Sequence, residues 1–206
     1  MFSIFTISVN LETEKRGEKV KLLVIIGSTR VNRNGQRVKA WLQKTLTPQD
    51  DTEYEIVDLR DVQLPFYDEP KSVGSLSDDE FHHPEGVKWG KQVASADGFI
   101  FVTPEYNHGP PATIKNAIDY AWQGWNYKPM SIISYSTGQI AGARAAEQLR
   151  LMALGVKLLP LPAAVHIAHI TDKIAEDGNV NDDAINTALD NLLSEHRMIA
   201  SKLKES

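Results

Sequence analysis

The sequence predicts an α/β domain: a five-stranded parallel sheet with helices on both faces. Two observations predict it. Several strand-like runs are apolar on both sides, and helical stripes alternate with them in the order βαβαβαβαβα, an order that calls for a parallel sheet. Gly98-Phe99-Ile100-Phe101-Val102-Thr103 is the clearest of these runs. A half-buried strand would alternate apolar with polar residues, so this one belongs at the sheet centre.

In chain order, Leu22-Leu23-Val24-Ile25-Ile26 is the first buried strand, and Gly27 to Gly35 the loop that leaves it. Val38, Trp41, Leu42 and Leu46 mark the inner face of the next helix. Tyr54 to Leu59 is rich in strand formers and suits a place nearer the edge. Asp61 to Glu85 reads as a long irregular surface segment, and Val87 to Ala96 as a short helix leading into the central strand. Pro104 and Gly109 break that strand, and Pro110-Pro111 fits the first turn of a helix, where a missing N–H costs nothing. That helix, striped by Ile114, Ala117, Ile118, Ala121 and Trp122, is expected to end near Gly124.

Lys128 to Tyr135 is the fourth strand and Ser136 to Gly142 its exit loop. Ala145, Leu149, Met152 and Ala153 stripe the following helix, closed by Gly155. Pro160 and Pro162 within Val156 to Val165 place the last strand at an edge or a break. Asp182 to Ser201, with Ile185, Leu189, Leu192, Leu193 and His196 on one face, is the final amphipathic helix. Residues 21–206 read as one domain. Residues 1–20 read as a mobile N-terminal extension, charged from Leu11 to Lys19.

Composition narrows the function. The formal charge of -5 and the absence of extended Lys/Arg clusters argue against nucleic acid as a main partner. Without cysteine there is no thiolate metal site, iron–sulfur cluster or cysteine nucleophile. No apolar run reaches the length of a membrane span. Met1 to Val9 lacks the basic start of a secretion leader, which favours a cytoplasmic protein. His166 and His169, spaced H-x-x-H, come with no recognisable third ligand and read as polar residues ending the last strand. Ser28 and Ser136 lack the G-x-S-x-G nucleophile pattern.

Three loops leave strand ends with unusual composition: Gly27–Gly35, Pro104–Pro110 and Ser136–Gly142. At the carboxyl rim of an open parallel sheet they converge where such sheets bind ligands. The first joins Ser28, Thr29 and Asn34 to Arg30 and Arg33 at a helix start, a set that suits phosphate. It matches neither G-x-G-x-x-G nor the Walker pattern.

Gly27-Ser28-Thr29-Arg30, Thr103-Pro104-Glu105-Tyr106-Asn107 followed by Lys115-Asn116-Ala117-Ile118-Asp119, and Ser136-Thr137-Gly138 with Gly142 together resemble the three flavin loops of the NADPH-dependent FMN reductase family. The resemblance implies a flavodoxin-like three-layer fold with strand order 2-1-3-4-5. It implies bound FMN that passes electrons from NADPH or NADH to quinones, free flavin or similar small acceptors in a ping-pong cycle. Ser28, Arg30, Asn34, Gly35 and Gln36 would hold the phosphate. Pro104, Glu105, Tyr106 and Asn107 would line the isoalloxazine, and Ser136, Thr137 and Gly138 its far edge. Catalysis would rest on FMN itself, with Tyr106 and Asn107 as positioning groups and no metal. A flavodoxin-type electron carrier and a flavin-binding redox regulator are the alternatives. The resemblance also points to a homodimer, and Trp122, Trp125 and Tyr127 around Gly124 would supply its exposed aromatic surface.

Overall fold

The computed structural model describes residues 19–48, 51–77 and 80–205. Residues 1–18, most of the expected N-terminal extension, lie outside them. Five strands, β1 (Val20–Ile26), β2 (Thr52–Asp58), β3 (Gly98–Pro104), β4 (Pro129–Tyr135) and β5 (Leu159–Ile167), form one parallel sheet in the order β2-β1-β3-β4-β5. Helices α1 (Gly35–Thr45) and α7 (Asp183–Lys204) pack on one face. Helices α3 (Pro84–Ala94), α4 (Ala112–Asp119) and α5 (Ala143–Gly155) pack on the other. Two single turns, α2 (Leu59–Val62) and α6 (Ile170–Lys173), follow β2 and β5.

Every residue of β3 and β4 is buried, as central strands covered on both faces require. β5 is an outer strand. Pro160 pairs opposite Met130, and pairing resumes only at Ile132–Ala164, so the proline-rich stretch bulges out of register beside Ser131. Parallel register sets the strand ends along one rim: Ile26 beside Asp58 and Val102, Pro104 beside Tyr135, and Tyr135 beside Ile167. The three candidate loops leave from that rim.

Two expectations need correction. α4 stops at Asp119 rather than near Gly124, and the chain turns back through a 3-10 turn at Gln123–Trp125. Gly124 passes so close to α3 that a Cβ there would lie 3.0 Å from the Ala94 nitrogen. The turn carries Trp125 into the core, fully buried, edge-on to Phe99 at 4.5 Å and with its indole N–H on the Ile118 carbonyl (3.1 Å). Trp122 is half-buried against the same core and only Tyr127 is exposed, so these residues form no aromatic surface patch.

The described residues of the segment from Asp61 to Glu85 also make more contacts with the domain than its composition implies. The Asn116 carboxamide of α4 accepts from the Tyr67 N–H (2.9 Å) and donates to the Pro65 carbonyl (2.7 Å). Leu76 and Phe81 are buried beneath it.

His196 lies fully buried on the inner face of α7, its Nδ1 2.8 Å from Ser131 Oγ. Gly98 makes the room, since a Cβ there would sit 2.4 Å from His196 Nε2. That nitrogen has no hydrogen-bond partner, and burial lowers the imidazole pKa to about 3. The folded state therefore holds His196 neutral, whereas the unfolded chain takes up its proton below about pH 6.5. Its contribution is complete above that value and is lost as pH falls toward 3, by at most about 1.4 kcal/mol per pH unit. Urea unfolding between pH 7 and 5 should show this acid slope, and His196→Gln should flatten it. Equal slopes in both proteins would contradict the assignment.

Candidate functional site

The first loop is held by a buried ion pair. Arg33 Nη1 donates to Asp58 Oδ1 (2.7 Å) and to the Ser28 carbonyl, Arg33 Nη2 donates to Asp58 Oδ2, and Lys39 Nζ reaches the same carboxylate at 3.0 Å. Burial alone would raise the Asp58 pKa. The hydrogen bonds from Arg33, Lys39 and the Arg60 N–H outweigh it and hold the carboxyl below its usual range. Arg33 is therefore a strut inside the loop, with its Nε left without a hydrogen-bond partner among the described residues. Asp58 can take it because register sets Asp58 directly beside Ile26, where β1 ends and the loop begins.

Gly27 has no room for a side chain: a Cβ would meet Ile114 Cδ1 at 2.2 Å. Beyond it Ser28 is buried, Asn34 precedes α1 without capping it through its side chain, and Gln36 and Arg30 are exposed. The Arg30 guanidinium lies 5.7 Å from the Tyr106 ring centroid.

The second loop is a tight turn. The Tyr106 N–H donates to the Gly109 carbonyl (2.8 Å) and the Gly109 N–H to the Tyr106 carbonyl (3.1 Å). Asn107 and His108 between them have φ of 50° and 69°, the left-handed pair of a type I′ turn. Gln148 of α5 donates to the His108 carbonyl (2.7 Å). Tyr106 reaches across to the first loop, its Oη 2.6 Å from Ser28 Oγ. Glu105 turns the other way, accepting from Arg144 Nε (2.6 Å) at the start of α5. Burial would raise its pKa, but Arg144 and the backbone N–H groups of Arg144 and Ala145 lower it below the usual range.

The third loop is fastened from β5. Ser134 Oγ donates to the Ala141 carbonyl (2.7 Å), so its single proton is committed and His166 Nδ1, 2.6 Å away, must be the donor to it. Burial, then Arg150, lowers the His166 pKa. His169 Nδ1 lies 3.1 Å from the Thr137 carbonyl, and Ser136 Oγ donates to the Gly138 carbonyl (2.8 Å).

The three loops enclose a cleft of about 310 Å³. Of the residues expected from the sequence, Ser28, Arg30, Asn34, Pro104, Glu105, Tyr106, Ser136 and Thr137 line it, whereas Gly35, Gln36, Asn107 and Gly138 lie outside its lining. Asn32, Arg33 and Tyr135 also line it. Tyr135 looked like an ordinary strand end, and its position directly before Ser136 is the only hint the sequence carries. Its hydroxyl is buried without a partner, and a Cβ at Gly35 would sit 2.6 Å from it. Burial raises the phenol pKa, so the group stays a donor.

An uncapped helix start, an exposed arginine and the Ser28, Tyr106 and Tyr135 hydroxyls suit a phosphate monoester. The aromatic turn and third loop beside them suit a planar ring. FMN fits this donor set.

An open parallel sheet in the order β2-β1-β3-β4-β5 with such a cleft at its carboxyl rim is the architecture of the flavodoxin-like class. The chain belongs to the NADPH-dependent FMN reductase family, whose model matches residues 20–172. Membership makes it an FMN-dependent oxidoreductase supplied by a reduced nicotinamide nucleotide. It is 37% identical over 156 residues to an NAD(P)H-dependent FMN reductase of Schizosaccharomyces pombe, covering 76% of each chain. It is 32% identical over 169 residues to a 2-hydroxy-1,4-benzoquinone reductase of Burkholderia sp, covering 78% of this chain and 85% of the other. The flavoenzyme FerB of Paracoccus denitrificans superposes with a TM-score of 0.71 at 24% identity, over 89% of this chain and 98% of that one, a likeness of fold.

Breaking a buried pair leaves an uncompensated charge, which costs about 3 to 5 kcal/mol. Asp58→Asn should lower the unfolding free energy of the FMN-free protein by roughly 3 kcal/mol at neutral pH. The Arg33→Met, Asp58→Leu double variant should cost less than Asp58→Asn alone. A loss under about 1 kcal/mol, the level of an exposed pair, would show that the pair does not hold the loop.

Proposed function

We propose that the cleft seats FMN with its phosphate over the start of α1, held by Ser28, Arg30, Asn34, Gly35 and Gln36 together with the Tyr106 and Tyr135 hydroxyls. The backbone from Pro104 to Asn107 lies along the isoalloxazine, and Ser136, Thr137 and Gly138 meet its far edge. The 2.6 Å contact between Ser28 and Tyr106 carries the reading, because it joins the anion-binding loop and the aromatic loop into one site. When bound, FMN supplies the two-electron chemistry between NAD(P)H and the acceptor.

The chain's part is position and electrostatics. The Tyr106–Gly109 turn holds the ring loop at fixed depth, and the Glu105–Arg144 pair ties that loop to α5. His166 and His169 hold the third loop, whose Thr137 and Gly138 N–H groups donate to no backbone carbonyl among the described residues and offer their dipoles to the ring edge. The acceptor is a quinone or a similar small molecule, supported by the quinone reductases of Burkholderia sp and Pseudomonas putida among the relatives. The nicotinamide and the acceptor use the same open face in turn.

The homodimer remains part of this reading, on other residues than the tryptophans. Leu151 and Leu154 of α5 and Ile140 before it are exposed large apolar groups, and α5 carries the partners of Glu105 and His108. No helix among the described residues is long and apolar enough to cross a membrane. We place the protein in the cytoplasm, with residues 21–206 acting as one domain.

Arg30→Ala should weaken FMN by roughly 1.5 kcal/mol, the lower end for a hydrogen bond to a charged group, and leave riboflavin, which lacks the phosphate, nearly unaffected. Equal losses for both in a fluorescence-quenching titration would remove Arg30 from the phosphate site. Steady-state kinetics with NADPH and a quinone should give parallel double-reciprocal lines, because a shared face admits one planar partner at a time. Intersecting lines would mean separate sites and a ternary complex.

A further inference from the structure

A second cavity, of about 220 Å³, opens behind the first loop at the same rim. Ser28 and Arg30 line the FMN cleft, whereas Thr29 between them lines this second space, as alternate residues of an extended segment face opposite sides. Its fixed walls are Thr113, whose hydroxyl donates to the Gly27 carbonyl (2.5 Å), and Asn116, which clamps the segment at Pro65 and Tyr67. Leu59 and Leu64 add apolar surface.

The side chains of Thr29, Arg60 and Gln63 complete the lining, and none of them makes a hydrogen bond or ion pair within the described residues. Gln63 ends the α2 turn in the left-handed region, with φ of 55° and its N–H on the Leu59 carbonyl. Among the described residues Arg30 and Arg60 are the two arginines whose guanidinium has no hydrogen-bond or ion-pair partner. They stand on the two sides of the first loop.

The local charge is opposite to that of the whole chain. Around this loop Arg30, Arg33, Lys39 and Arg60 face Asp58 and Asp61, so the rim is positive on a chain of formal charge -5. Arg33 and Lys39 are absorbed by Asp58, and Arg30 belongs to the FMN cleft. Arg60 remains.

We propose that this cavity is the subsite for the 2'-phosphate of NADPH, with Arg60 as the specificity-determining residue. The inference rests on the reductase reading. A guanidinium fork matches a phosphate monoester bidentately, and the Thr29 and Gln63 side chains supply further donors. The space is below the usual size of a whole small-molecule site, so it takes the phosphorylated ribose end of the nucleotide and not all of it. The nucleotide's other end reaches the ring face over the rim of the shared loop.

The test uses FMN-loaded protein and two adenine nucleotides that differ in where the second phosphate sits. In calorimetric titrations 2',5'-ADP should bind about tenfold more tightly than 5'-ADP, and Arg60→Ala should erase the difference, a change close to the lower end for one charge-assisted hydrogen bond. The FMN Kd of the variant should stay within about twofold of the parent, since Arg60 lies outside the FMN cleft. Equal binding of the two nucleotides by the parent protein would overturn the subsite, because the cavity would then not distinguish a phosphate on the 2'-oxygen from one on the 5' chain. A loss of FMN affinity in Arg60→Ala as large as the loss of 2',5'-ADP affinity would also overturn it, by placing Arg60 in the cofactor cleft. Anaerobic bleaching of the bound flavin separates this inference from its foundation. Bleaching by neither NADPH nor NADH sinks the reductase reading, whereas bleaching by both with the same concentration dependence sinks only the subsite.

Discussion

The geometry of the cleft depends on the buried pair of Arg33 and Asp58. Taking two charges out of water costs several kcal/mol per ion, and that cost is offset here by two-pronged geometry and by Lys39 on the same carboxylate. The pair closes the loop after β1 against the end of β2, and Arg33 binds the Ser28 carbonyl as well. Ser28 is thereby fixed at the point where Tyr106 arrives from the other loop. Asp58 and the more distant Asp61 offset Arg33 and Lys39 at the base of the loop, which leaves Arg30 as the cation without an ion-pair partner above it.

Parallel strands make the rest of the site a consequence of topology. Each βα unit delivers a helix start to the same rim, so several positive helix ends meet there. They do not compete for one ligand. Glu105 with its partner Arg144 meets the start of α5, whereas no side chain caps α1. The proposed phosphate seat is the start of α1, where the buried Tyr135 hydroxyl lies beside Gly35.

Features governed by local composition were legible in the sequence. The unbroken apolar run of β3, the two prolines of β5 and the punctuation of the three loops suffice to place those loops at the carboxyl rim. Long-range partners were not. Nothing near Arg33 announces that Asp58 will claim it, because that contact exists only once β1 and β2 are in register. Glu105 lies inside a motif that points to the ring, yet its carboxylate answers a helix start that comes nearly forty residues later. The early stop of α4 carries no proline or glycine at Tyr120, so the helical stripe runs on past its true end and misplaces Trp125. His166 and His169 were read as polar strand-end residues, and their hold on the third loop appears only from the hydrogen bonds they make.

The central claim is that one cleft joins an anion site at the start of α1 to an aromatic turn, with Arg33 held back by Asp58. A crystal structure of the FMN complex tests it most directly. The account predicts the phosphate within hydrogen-bonding reach of Ser28, Arg30 and the Gly35 N–H, with Arg33 still forked on Asp58. A phosphate bound by Arg33, or FMN seated away from the start of α1, would contradict it.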